Sequence, residues 1–241
     1  MEKIDHSPKL KKLLDGFSSG LKALYQDGLI SLILYGSAAS GEFKPGFSNI
    51  NILIVLNDTN LENLSKSVSF LKKSAYRSFN CLFFTPEYIV GSADVFPIEF
   101  LDMKENYLVI YGKDILAPLT IDLKNLRFQC EQELKAKLLN IKSFYLFNRN
   151  KTALQNLLIR SFTSFLHISR NLIRLKGKSP AYQKEEILND LALEFKIDVS
   201  GMKKILDLKS RSLKLNYKDT KSLLFDFVRK MEAITKVVDE S

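Results

Sequence analysis

The chain has 241 residues, 46% hydrophobic and 26% charged, with a net charge of +9; at roughly 100 to 200 residues per domain it has room for two, and it is too apolar for wholesale disorder. Cys81 and Cys130 are the only cysteines, far apart and without CxxC spacing, which argues against a zinc cage or a disulfide framework and fits a reducing compartment. No apolar run approaches the roughly 20 residues that span a bilayer, and MEKIDHSPKLKKLL has early acids and no leader-like apolar core, so the expectation is a cytoplasmic protein with no membrane partner.

From 8 to 27, Leu10, Leu13, Leu14, Phe17, Leu21, Leu24 and Tyr25 recur at spacings of three and four, which predicts an amphipathic helix. LISLILY (29–35) and INILIVL (50–56) are continuous apolar runs of the length expected for buried strands. Leu61, Leu64, Val68 and Leu71 predict a crossover helix over 61–74, and NCLFFT (80–85) a third strand. Thr85-Pro86-Glu87 reads as a helix start, with Thr85 capping and Pro86 at the first helical position. VFPIEFLDM (95–103) reads as a fourth strand carrying Glu99, with Pro97 marking an edge or bulge, and YLVIYG, closed by Gly112, as a short fifth.

The pattern changes near Pro118. From Asp122, a plausible N-cap, helical spacing runs to about 150, and a second long helix runs to Gly177. After Lys178-Ser179-Pro180, the runs KEEILNDLALEFK, VSGMKKILDLK and TKSLLFDFVRKMEAITKVV each predict a further helix. The fold expected is therefore α+β: a mixed sheet flanked by helices over 1–118 and an all-α bundle over 119–241. Charge divides along the same line. Residues 1–120 carry 12 Lys and Arg against 13 Asp and Glu, and residues 121–241 carry 24 against 14, a net of +10. Lysines strewn along helices suit a solvated face, though a basic half also leaves nucleic acid open as a partner.

The chemistry-bearing stretch is LYGSAASGEFKPGFSNINILIVLN (34–57). Small residues at a turn let backbone approach a phosphate, and alternate positions on the following strand project to one face, so Asn49 and Asn51 would point together at whatever sits over that turn. Lys44, between the turn and the Asn pair, is a candidate phosphate contact beside Gly36 and Ser37. The arrangement resembles the nucleotidyltransferase superfamily that includes DNA polymerase β and kanamycin nucleotidyltransferase. Its pattern is an apolar residue, Gly, then Gly or Ser, a spacer, and two acids separated by one apolar residue; here Tyr35-Gly36-Ser37 matches the opening, and Asn49-Ile50-Asn51-Ile52 stands where the acids would be. The resemblance implies a mixed sheet flanked by helices, two Mg²⁺ ions held by three carboxylates, and transfer of a nucleoside monophosphate from a triphosphate to an acceptor. It places the third carboxylate on a later strand, with Glu99 the candidate and Asp102 in reserve.

The departure from that pattern is chemical. Two Asn and one Glu would supply a charge of −1 where the pattern supplies −3, and Mg²⁺ is usually held through carboxylates, so magnesium at Asn49, Asn51 and Glu99 would be held weakly. Phosphoryl-type transfer rests on positioning and metal electrostatics, so the expectation is a catalytically impaired nucleotidyltransferase-like protein, a pseudoenzyme or regulator with a nucleoside triphosphate as ligand. The alternatives are an active Mg²⁺-dependent transferase using Glu99, Asp102 or Glu42, and a non-catalytic interaction module, with a homodimer left open. Elsewhere, Arg160 and His167 lie seven apart on one predicted helix face, a spacing that permits cooperation and that a packed or hydrogen-bonded histidine shares equally.

Overall fold

The computed structural model describes residues 8–40 and 49–240. The chain divides into two compact units, Met1–Ile121 and Asp122–Ser241.

In the first unit α1 (Pro8–Tyr25) leads into β1 (Leu29–Tyr35), α2 (Ser37–Ser40) and β2 (Ile50–Leu56). After them come α3 (Leu61–Ser65), α4 (Val68–Leu71), β3 (Phe79–Phe84), α5 (Pro86–Gly91), α6 (Pro97–Glu105) and β4 (Tyr107–Gly112). The strands form one sheet in the order β3-β2-β1-β4. β1 runs antiparallel to both β2 and β4, while β2 and β3 are parallel. Both faces of the two central strands are covered, which is why they read as unbroken apolar runs. On one face Leu32, Leu34, Ile50, Ile52, Ile54 and Leu56 pack against Leu10, Leu14, Phe17 and Leu21 of α1. On the other, Ile33, Leu53 and Val55 pack against Ile89, Phe100, Met103, Leu116 and Leu119. Gly20 on α1 stands where any Cβ would run into the Phe70 ring, so the helix gives up propensity to let that ring close on Phe17.

Two expected elements are corrected. VFPIEFLDM is not a strand: α6 occupies it, with Pro97 at the first helical position and Pro97, Ile98, Phe100 and Met103 buried. A proline whose missing N–H is an orphan anyway starts a helix as readily as it marks a strand edge. Glu99 therefore lies exposed in the first turn of a helix. The single crossover helix over 61–74 is instead α3 and α4, broken at Lys66-Ser67, where Ser67 Oγ bonds back to Leu64 O at 2.9 Å, a local bond that competes with the helix. Other local signals hold: Thr85 Oγ1 accepts from Tyr88 N at 3.1 Å and Asp122 Oδ1 from Lys124 N at 2.8 Å, each satisfying a helix-terminal N–H.

Among its described residues the second unit is built of helices joined by short connections, with no strand: α7 (Leu123–Phe147), α8 (Lys151–Leu175), α9 (Lys184–Phe195), α10 (Ser200–Lys209) and α11 (Tyr217–Asp239). α8 runs through its middle, with Leu158, Phe162, Phe165, Ile168 and Leu172 buried. Phe227 of α11 meets Phe162 and Phe165 edge-on, at ring-centroid distances of 5.9 and 5.5 Å, a favoured aromatic geometry. Among the described residues no helix is long and apolar enough to cross a membrane.

One surface contact of this unit makes its acid stability measurable. Ser200 N and Ser200 Oγ donate to the Asp198 carboxylate at 2.9 and 2.8 Å, and Lys230 Nζ reaches it at 3.1 Å. These hydrogen bonds, Ser200 N–H first, hold its pKa down from the ordinary 3.8 to about 2. A depressed carboxylate contributes stability above its unfolded pKa and loses that contribution as pH falls through the folded value, so the window is pH about 4 to about 2. Asp198→Asn is expected to flatten the fall in melting temperature across that window relative to the unaltered protein; equal slopes in a pH series would show the contact to be thermodynamically silent.

Candidate functional site

The Gly36 turn is built by the backbone. β1 ends at Tyr35, and Gly36 takes φ +74, a left-handed conformation that costs other residues. Its N–H is already spent, donated to Asn106 O at 2.9 Å, which ties the turn to the start of β4. Its carbonyl accepts from Ala39 N and Ser40 N at 2.8 and 3.0 Å. Ala38 and Ala39 are buried in the core shared with Ile50 and Ile52, so small side chains there serve packing as well as the turn. Ser37 opens α2 half-buried.

Strand register then brings one row of side chains together across the sheet. Asn51 on β2 pairs with Tyr35 on β1 and with Asn80 on β3, and Tyr35 pairs with Tyr107 on β4. Directly paired residues share a face, so Asn80, Asn51, Tyr35 and Tyr107 form a polar shelf. The next row on that face, Leu82, Leu53, Ile33 and Val109, is apolar and packs into the core under α5 and α6. The shelf begins where the hydrophobic layer ends, beside the Gly36 turn.

Within the shelf, Asn80 Nδ2 donates to Asn51 Oδ1 at 3.2 Å. Asn51 Nδ2 faces the turn: a Cβ on Gly36 would lie 3.2 Å from it, a second reason for glycine there. Burial, with a smaller contribution from Cys81, pushes the Tyr35 phenol up to about 12, and burial pushes the Cys81 thiol up to about 12. Neither is ionised near neutral pH, and Cys81, paired with Ile52, packs on the opposite face, so the shelf offers no thiolate and Tyr35 no phenolate nucleophile. Tyr107 Oη donates to Asp114 Oδ2 at 3.0 Å, and its pKa is raised by burial first and by that carboxylate second.

Of the residues singled out in the sequence, Gly36 and Asn51 are brought together. Asn49 is exposed just before β2, Glu99 lies on α6, and Lys44 and Glu42 fall outside the described residues. Sequence reasoning missed Asn80. It sits on β3, hydrogen-bonded beside β2, opposite Asn51. Its signal was the alternation of Asn80, Leu82 and Phe84 in the third strand. Asn49, Asn51 and Asn80 carry no charge, so this donor set does not fit a pair of magnesium ions. Among the described residues no group of three or more His, Cys, Asp or Glu side chains is placed to hold a metal.

A separate polar cleft of about 430 Å³, lined by Tyr25, Gly28, Asn57, Asp58, Asn63 and Lys66 among others, lies at the opposite ends of β1 and β2 from the Gly36 turn. Its polar groups largely engage one another: Asn60 Nδ2 donates to Asp58, Asn63 Nδ2 to Asp58 O, and Lys66 Nζ to Asn63. On α8, Arg160 and His167 are both exposed.

The sequence matches no family model and no curated protein. Among solved structures, the fold is similar to that of spectinomycin adenyltransferase AAD(9) from Enterococcus faecialis, determined with ATP and spectinomycin, at 14% identity and a TM-score of 0.56. The match covers 92% of this chain and 99% of that one. An identity this low shows a shared fold, which is the α+β nucleotidyltransferase architecture that the Gly36-Ser37 motif implied.

Proposed function

We propose that the protein is a nucleotidyltransferase-fold nucleotide binder whose transfer chemistry is impaired. The observation that carries this reading is the pair Asn51 and Asn80, hydrogen-bonded to each other beside a glycine turn, at positions where metal-dependent transfer needs carboxylates. Support for the ligand comes from the resemblance at Tyr35-Gly36-Ser37 and from the similar adenyltransferase having been solved with ATP. Ser37 and Lys44 would contact the phosphates. Without carboxylates to hold magnesium, the charge developing on the transferred group goes largely uncompensated, and the rate should fall by several powers of ten.

The test is the full chain with each of the four nucleoside triphosphates and Mg²⁺. At least one is expected to raise the melting temperature by a few degrees, as a ligand specific to the native state does, with no pyrophosphate released above the protein-free rate. Release of pyrophosphate would support an active transferase instead, with Glu99 the first acid to replace. No rise with any nucleotide would favour an interaction module.

A further inference from the structure

We infer that this site holds nucleotide phosphate directly on amide N–H donors, without a divalent metal between protein and ligand. The inference rests on the nucleotide-binding reading above and adds how the phosphate is recognised. In the hydrogen bond between the two amides, Asn51 is the acceptor: its Oδ1 takes Asn80 Nδ2 at 3.2 Å. That fixes the other end of the Asn51 amide. Its Nδ2 is aimed at the Gly36 turn, 3.2 Å from where a Cβ would stand, and among the described residues it has no acceptor of its own. A half-buried donor directed at a glycine turn is suited to an anionic oxygen, and a hydrogen bond to an ionised acceptor is roughly twice as strong as one between neutral groups.

A carboxylate at position 51 would act in the opposite sense. It would repel a phosphate unless a cation lay between them, which is the arrangement the nucleotidyltransferase pattern implies. An amide removes the repulsion and the need for the cation together. Magnesium chelated by a free triphosphate would gain no anionic ligand from Asn51 or Asn80, and it would occupy oxygens that the amide could otherwise reach. Affinity should therefore be insensitive to magnesium, or reduced by it.

Calorimetric titration of the full chain with ATP, in EDTA and again in Mg²⁺, tests this, with adenosine as a phosphate-free probe. The expected result is binding in EDTA at least as tight as in Mg²⁺ and weaker for adenosine by about tenfold or more. Asn51→Asp, isosteric with the native residue, is expected to lose about tenfold in EDTA and to recover when Mg²⁺ is added. Asn80→Asp, whose carboxylate can no longer donate to Asn51 Oδ1, should move in the same direction, and melting temperatures of both variants report whether they remain folded. Wild-type binding about tenfold tighter in Mg²⁺ than in EDTA, or adenosine binding as tightly as ATP, overturns the inference and leaves nucleotide binding standing. Absence of ATP binding in both buffers overturns the nucleotide-binding reading itself.

Discussion

Phe17→Ala is expected to destabilise the N-terminal unit by about 3–5 kcal/mol, the range for truncating a buried phenylalanine. Phe17 is 1% exposed, and its ring centroid lies 4.5, 5.0 and 5.5 Å from those of Phe79, Tyr76 and Phe70. Such contacts add about 0.5–1.5 kcal/mol per pair beyond area burial. They also join α1 to elements distant in the chain, the segment from α4 towards β3 and β3 itself. The loss is large against the roughly 5–15 kcal/mol by which whole domains are stable. Urea denaturation followed by circular dichroism would show it as a lower midpoint, and Phe17→Leu, which refills part of the volume, should recover a good fraction. A cost below about 1 kcal/mol would mean that the ring cluster does not hold α1 to the sheet. Because α1 covers the face opposite the Asn51 shelf, the folded fraction of the variant should respond to nucleotide in the same way as the unaltered chain, whichever way that is.

The contrast between α1 and α6 shows what the sequence makes legible. Helix α1 has 18 residues, long enough for a 3.6-residue period to separate from alternation. Strands β1 and β2 are apolar on both faces and bounded by glycine, asparagine or serine. Helix α6 has nine residues, and the apolar positions in VFPIEFLDM fit alternation nearly as well as a helix; what decides is Pro97 at the helix start and the burial of Phe100 and Met103 against β1 and β2, which is tertiary information. The site was legible in the same uneven way. Gly36 directly follows β1 and Asn51 lies on β2, its antiparallel neighbour, and their spacing along the chain is the motif itself. Asn80 reaches Asn51 through a parallel pairing, which needs a crossover rather than a tight turn. No turn chemistry sets the register of such a pair, so nothing local to residue 80 announces its neighbour.

Converting the two shelf amides and Asn49 to acids is expected to produce the largest functional change. The triple substitution Asn49→Asp, Asn51→Asp and Asn80→Asp adds a charge of −3, part of it at the exposed position just before β2 and the rest at the directly paired positions 51 and 80, whose carboxylates repel each other. In EDTA the variant should therefore melt below the unaltered protein. Added Mg²⁺ should reverse the sign, because a cation bound only by the native state stabilises by about 2.7 kcal/mol at 100 times its Kd, whereas the unaltered chain should hardly respond. Opposite responses to one ion separate a metal site from a general effect of salt, since screening alone would raise the variant equally with sodium at matched ionic strength. If magnesium gives the variant nothing beyond sodium, the paired positions 51 and 80 are not where a metal would sit in this fold, and the likeness of architecture stops short of the site. If it binds, the shelf has the shape of a metal site without its charge, and the proposed impairment of transfer traces to the three amides.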